Sequence, residues 1–219
     1  MKRYVSETIA TFFLVFIGTG SVILNHFYDG KITLAGISII TGLVVALMIL
    51  ILGAWSGAHM NPAVTIAFAQ KGDLDKKHIL PYIMAQAIGA FGGTLLLKII
   101  FNNSLSLGET LPSINIYLAF IIEIVLTLFL MLVILFVSDT NNRYSAWIIG
   151  LAVATCIFVG GNFSGGSMNP IRSLSPAIVN NNLNMVWIYL TAPFIGALSA
   201  LFVFKCLKKL YLKYSRIQK

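Results

Sequence analysis

The sequence predicts an all-α membrane protein: six transmembrane helices plus two re-entrant half-helices, arranged as a 3+3 inverted repeat. Three observations predict it. Hydrophobic residues make up 58% of the 219 residues and charged residues only 10%, where a soluble domain carries about 25% charged residues, and the mean hydropathy is +0.90. Six apolar stretches are long and two are short. One motif occurs twice, as Ser56-Gly57-Ala58-His59-Met60-Asn61-Pro62-Ala63-Val64-Thr65 and Ser164-Gly165-Gly166-Ser167-Met168-Asn169-Pro170-Ile171-Arg172-Ser173. The two Asn-Pro pairs are 108 residues apart (169 − 61), about half the chain.

The first apolar stretch, 4–24, follows Met1-Lys2-Arg3. A basic start before an apolar run can be a secretory signal. This run has the length of a full span and no convincing cleavage site follows, so it reads as a retained first helix. The other long stretches are 32–54, 79–101, 114–137, 146–161 and 185–207. The short ones, 61–70 and 169–180, fall well below the ~20 residues that a spanning helix needs. Each opens on Asn, a strong N-cap residue, and then Pro, which is favoured at the first helical position. Each follows a glycine-rich approach, 53–57 and 160–166, that lets the backbone bend back into the membrane. The chain 1–219 therefore reads as a single transmembrane channel domain with repeats at approximately 4–101 and 114–207.

The basic residues set the orientation. With both termini cytoplasmic, Lys2, Arg3, Lys71, Lys76, Lys77, Arg143 and the tail Lys205, Lys208, Lys209, Lys213, Arg216 and Lys219 all lie inside, and only Lys31 and Lys98 lie outside. The net charge of +8 does not point to nucleic acid, because the tail follows an apolar span directly and suits anionic headgroups. Three spans per half turn the second half upside down. The half-helices then dip in from opposite sides, and their Asn-capped starts meet near the midplane. The repeat extends to the head of each half, where Glu7 and Glu123 open matching apolar runs.

Two cysteines and three histidines offer little for a metal site or a disulfide framework. Cys156 and Cys206 belong at opposite faces and read as packing residues. No nucleophile–base pair and no phosphate loop stands out, so the chain reads as no enzyme, with no cofactor and no metal.

A helix start carries unpaired N–H groups and about +0.5 elementary charge. Two facing starts, at Asn61-Pro62-Ala63 and Asn169-Pro170-Ile171, make a positive zone that repels cations at a pore centre. The Asn amides donate hydrogen bonds there, so a water accepting from both cannot also accept along the file, which breaks a proton wire. The carbonyls of Gly57, Ala58, His59 and Met60, and of Gly165, Gly166, Ser167 and Met168, lack helical partners and can line the path as acceptors. A capping role alone would explain one Asn copy; two copies opening helices that are too short favour a pore. Arg172, on an apolar half-helix, must face water or a partner; it reads as a cationic constriction, with a structural ion pair as the alternative. Glu7 and Glu123 read as anchors for the loops, with proton relay as the alternative. His59 packs or bonds within its loop, and His26 and His78 fall in solvent-side loops. Gly89 with Gly93, Gly42 with Ala46, and Gly150 with Ala154 have the small-x-x-x-small spacing of close helix contacts.

From Glu7 to the sixth span these residues resemble the aquaporin (major intrinsic protein) family. The resemblance implies a homotetramer with one pore per subunit, no catalysis, and an aromatic/arginine filter on the outer side. The filter positions fall at Thr41, Ile157, Gly166 and Arg172. Strict water channels usually carry Phe and His where Thr41 and Ile157 stand, so the filter should be wider and less polar. It looks more like the nodulin-26-like branch, which the Ser-Leu-Ser-Pro-Ala run also resembles. Ile171 replaces the usual Ala and either packs against the opposite half-helix or narrows the junction. Ser173 and Ala177 stand where glycerol facilitators usually carry Asp and a base. The expected function is a passive channel in the cell membrane, plasma or inner, for water and small uncharged solutes such as glycerol, urea and metalloid hydroxides, excluding ions and protons. The alternatives are a solute channel with little water role, a secondary carrier, for which the spans hold few ionisable groups, and a non-conducting junction protein, for which the short loops offer little surface.

Overall fold

The computed structural model describes residues 1–102, 106–140 and 142–217. Lys219 of the basic tail lies outside them, as does the Arg216 side chain. The regular elements among them are all helical. In chain order they are α1 (Lys2–Phe27), α2 (Thr33–Ser56), α3 (Pro62–Lys71), α4 (Lys76–Ile100), α5 (Ile116–Thr140), α6 (Ser145–Ser164), α7 (Pro170–Val179) and α8 (Val186–Ile217). Six of these are long and apolar enough to cross a membrane, the shortest, α6, with 20 residues. At about 1.5 Å per residue that is the ~30 Å of a hydrocarbon core. The half-helices α3 and α7 have 10 residues each, so two placed end to end make one span.

The elements differ from the expected stretches in their ends. Gly53, Gly160 and Gly161 stay helical, and at two of them a neighbouring side chain packs where a Cβ would be: one at Gly161 would meet Leu34 at 2.6 Å and one at Gly160 would meet Leu126 at 2.3 Å. The helices end in left-handed backbone at Gly57 and Gly165, with φ of 85° and 90°. The basic tail is not a loose extension, since α8 runs on through it to Ile217. His26 and His78 are not loop residues either. His26 lies in the last turn of α1. His78 closes a 3₁₀ turn at the head of α4, its Nδ1 2.8 Å from the Tyr4 hydroxyl. α1 itself passes through a π turn at Leu14–Thr19.

The packing repeats between halves. α1 packs on α4 as α5 packs on α8, and α1 on α2 as α5 on α6. α2 packs on α6 across the middle, and both half-helices rest on α4 and α8. Glycines allow backbone contact at the equivalent places. A Cβ at Gly89 would stand 2.2 Å from the Thr8 carbonyl oxygen, and one at Gly196 would stand 2.5 Å from that of Ile124. Thr8 and Ile124 directly follow Glu7 and Glu123. Gly93 meets the Phe12 carbonyl in the same way, at 2.9 Å, so the Gly89–Gly93 pair forms one seam with α1. Large apolar side chains such as Ile99, Leu151 and Phe202 face outward, as a hydrocarbon surround requires.

Candidate functional site

Two loops, 57–60 and 165–168, form the site from matching parts. Beyond the turning glycines, Ala58, Met60 and Met168 have positive φ of 46°, 52° and 54°. For non-glycine residues that conformation persists only when the surroundings over-determine it. Buried carboxylates do so here. Glu7 accepts from the His59 N–H at 2.8 Å and the Met60 N–H at 2.9 Å. Glu123 accepts from the Ser167 N–H at 2.9 Å and the Met168 N–H at 2.8 Å. Each carboxylate thereby satisfies two donors that no helix supplies with partners. The loop starts are also tied down: the Tyr82 hydroxyl donates to the Ser56 carbonyl at 2.9 Å and the Tyr189 hydroxyl to that of Ser164 at 2.6 Å. His59 does not stay within its loop as expected but reaches the half-helix α3, with Nδ1 3.1 Å from the Thr65 hydroxyl and its ring stacked on Phe68 at 4.8 Å.

The two Asn side chains each do two jobs. The Asn61 Oδ1 caps α3 by accepting from the Ala63 N–H at 2.9 Å, and the Asn169 Oδ1 caps α7 by accepting from Ile171 at 3.2 Å and Arg172 at 3.5 Å. The amide nitrogens cross over. Asn61 Nδ2 donates to the Met168 carbonyl at 2.8 Å, and Asn169 Nδ2 donates to the Met60 carbonyl at 2.7 Å. A carboxamide has two N–H groups, so each Asn retains a second donor. The Met60 and Met168 carbonyls each accept from the opposite Asn and line the cavity. One expectation needs correction. Pro62, Ala63, Pro170 and Ile171 do not line the central cavity. They are the first residues of the half-helices and are buried among neighbours. Ile171 packs with Val15 and Ala90 of the first half, so it does not narrow the junction.

A cavity of about 890 Å³ passes Asn61 and Asn169. One end is lined by Arg3, Asp73 and Ser138, the other by Asn25, Glu109 and Asn162. Thr41, Val45 and Ile49 of α2 line it, as do Ile149, Val153 and Ile157 of α6. The stripes are spaced by four residues, one helical face each, and correspond at the same offset of 108 that separates the Asn residues. Gly42 meets Ala154 and Gly150 meets Ala46, so α2 and α6 run antiparallel. That sets Thr41 near the level of Ile157. The expected filter positions Thr41, Ile157, Gly166 and Arg172 all line this cavity. A Cβ at Gly166 would stand 3.2 Å from the Ile157 Cα.

Arg172 makes no ion pair among the described residues. Its Nη1 donates instead to the Thr110 hydroxyl, in the loop between α4 and α5. Sequence reasoning missed Thr110, which belongs to no motif and lies far from Arg172 in the chain. It also missed Gly18, whose Cβ position in the π turn is 3.3 Å from Thr41. Lys98 donates to the Val179 carbonyl at 3.0 Å and caps the last turn of α7. Lys71 pairs with Asp73 at 2.5 Å and with Asp139 at 3.6 Å, and Lys208 pairs with Asp139 at 2.8 Å.

Residues 1–204 match the family Major intrinsic protein. The chain belongs to that family. Among relatives of this major intrinsic protein, Aquaporin NIP6-1 of Arabidopsis thaliana is 39% identical over 201 residues, covering 90% of this chain and 66% of that protein. The chain thus spans just under two thirds of that relative's length. Nodulin-26 of Glycine max is 37% identical over 213 residues, 95% of this chain and 78% of that protein. Relatives of this kind agree with the nodulin-26-like resemblance of the filter. The X-ray structure of the aquaglyceroporin from Plasmodium falciparum matches with a TM-score of 0.86 and 28% identity, over 93% of this chain and 94% of that one. The six spans and two half-helices of this family member therefore recur in a solved structure.

Proposed function

We propose that this chain is a passive transmembrane channel for water and small uncharged solutes, among them glycerol, urea and metalloid hydroxides, and that it excludes ions and protons. One observation carries the proposal: a single cavity has two cross-tied Asn amides at its middle, each with one N–H left over. Two helix starts converge there, and their partial positive charges oppose a cation that is already losing hydration. A neutral solute meets neither cost in full. A water that accepts from both amides cannot also pass a proton along the file.

Thr41, Ile157, Gly166 and Arg172 form the filter in this reading. A hydroxyl, an aliphatic side chain and a bare backbone leave more width than aromatic residues would. Arg172 supplies the positive charge, and Ile157 suits the carbon skeleton of a polyol. The carbonyls of 57–60 and 165–168 act as acceptors along the path. The chain works as one domain of two inverted repeats, in a homotetramer in the cell membrane. Both termini are cytoplasmic, as the positions of its basic residues favour. It performs no catalysis and takes no cofactor. Stopped-flow light scattering on proteoliposomes tests the proposal. Water flux should exceed that of bare lipid, and glycerol should enter. Water flux equal to bare lipid refutes the water channel, and complete exclusion of glycerol and urea refutes the wide filter.

A further inference from the structure

We propose that Thr110 is a positioning residue that sets the direction of the Arg172 guanidinium and, through it, the selectivity of the channel at that level. The inference rests on the filter role assigned to Arg172 above. Thr110 is 7% exposed and sits between two contacts. Its methyl group lies against Gly165, where a Cβ would meet it at 2.4 Å. Its hydroxyl accepts from the Arg172 Nη1 and lies 2.8 Å from the Ser173 hydroxyl. The Ser173 hydroxyl in turn lies 2.5 Å from that of Ser167, and Ser167 donates to the Asn169 carbonyl at 3.0 Å.

The hydrogen positions follow by elimination. A guanidinium only donates, and each hydroxyl has one hydrogen. The Ser167 hydrogen goes to the Asn169 carbonyl, so Ser173 donates to Ser167. The Ser173 hydrogen is then used, so Thr110 donates to Ser173. The chain therefore runs one way, from the Arg172 cation through Thr110, Ser173 and Ser167 to the carbonyl of Asn169. Its three hydroxyls and Asn169 are buried, where successive hydrogen bonds reinforce each other and an unpaired member is costly. In the first half, the counterpart of Ser173 is Thr65, whose hydroxyl serves Asn61, His59 and Gln86 and reaches no cation. The neighbouring Glu109 does not compete for Arg172, since it bonds to Ser106 and Asn180.

Without the Thr110 acceptor, Nη1 finds its partner in the permeating file, and the guanidinium moves into the lumen. Larger solutes then suffer more than water. In proteoliposomes Thr110→Val should lower the ratio of glycerol to water permeability roughly tenfold, the order of one charge-assisted hydrogen bond. The ratio does not depend on how much protein inserts. Thr110→Ser keeps the acceptor and should rescue the ratio to within about twofold. In an Arg172→Ala background, Thr110→Val should change the ratio no further, the signature of two residues acting as one unit. If Thr110→Val does not fold, Thr110→Ala is read the same way. An unchanged ratio in Thr110→Val, failure of Thr110→Ser to rescue, or an undiminished effect without Arg172 each overturns the positioning role. If Arg172→Ala by itself leaves the ratio unchanged, the filter reading falls and takes this inference with it. If Arg172→Ala shifts the ratio and Thr110→Val does not, the filter stands and only the role of Thr110 is lost.

Discussion

Gly42 of α2 and Gly150 of α6 touch so closely that a Cβ on either would stand 2.5 Å from the carbonyl oxygen of the other. The contact is reciprocal, and the two glycines are related by the same offset as the two Asn residues. It therefore sits where the halves of the fold meet, directly behind the stripes that line the cavity. Gly150→Ala should drive the helices apart at a cost of ~1–3 kcal/mol of overpacking. The thermal midpoint in detergent should fall accordingly, and an unaltered midpoint would show that the helices separate freely.

Glu123→Gln should destabilise the second loop. Both carboxylate oxygens accept backbone N–H groups, from Ser167 and Met168. A carboxamide must turn its NH₂ toward one of them, donor against donor, at a cost of ~1–3 kcal/mol. The expected result is a lower thermal midpoint together with reduced water flux per inserted protein. Full flux at the normal midpoint would show that the loop holds its shape without the anchor.

Ile171→Ala tests where that side chain lies. It is buried with Val15 and Ala90, away from the cavity. Truncation should cost ~2–5 kcal/mol in stability and leave the glycerol-to-water ratio as it was. A changed ratio would place Ile171 in the path after all.

Thr41→Phe combined with Ile157→His should narrow the channel at its proposed filter. Glycerol and urea flux should drop while water flux persists, read on the same vesicles by light scattering. Undiminished glycerol entry would locate the narrowest point elsewhere.

Much of this site was legible because it is written twice. Asn followed by Pro at the head of an apolar run too short to span marks a buried helix start, and its repetition with three spans in each half marks inversion. Glu7 and Glu123 were legible as anchors because a carboxylate inside a span needs several donors, and two loops had donors to spare. The seam at Gly89 and Gly93 was legible from spacing, whereas the Gly42–Gly150 contact was not, since it joins two separate helices. Thr110 was not, since a threonine in an unpatterned loop carries no signal until the loop folds over Arg172. The same holds for His78, whose partner Tyr4 lies at the far end of the chain's first half. The facing of Ile171 was open as well, because a residue at the second helical position can turn either toward a lumen or toward neighbouring helices.

Periodicity, length and charge placement depend on each residue and its near neighbours, so the order of residues alone was enough to determine six spans, two stubs and the helix starts. Which acceptor holds the Arg172 guanidinium, and which carbonyl takes each Asn amide, depends on groups brought together from distant parts of the chain. Only the folded arrangement decides those contacts, because hydrogen bonds act over about 3 Å, a distance that sequence separation does not encode.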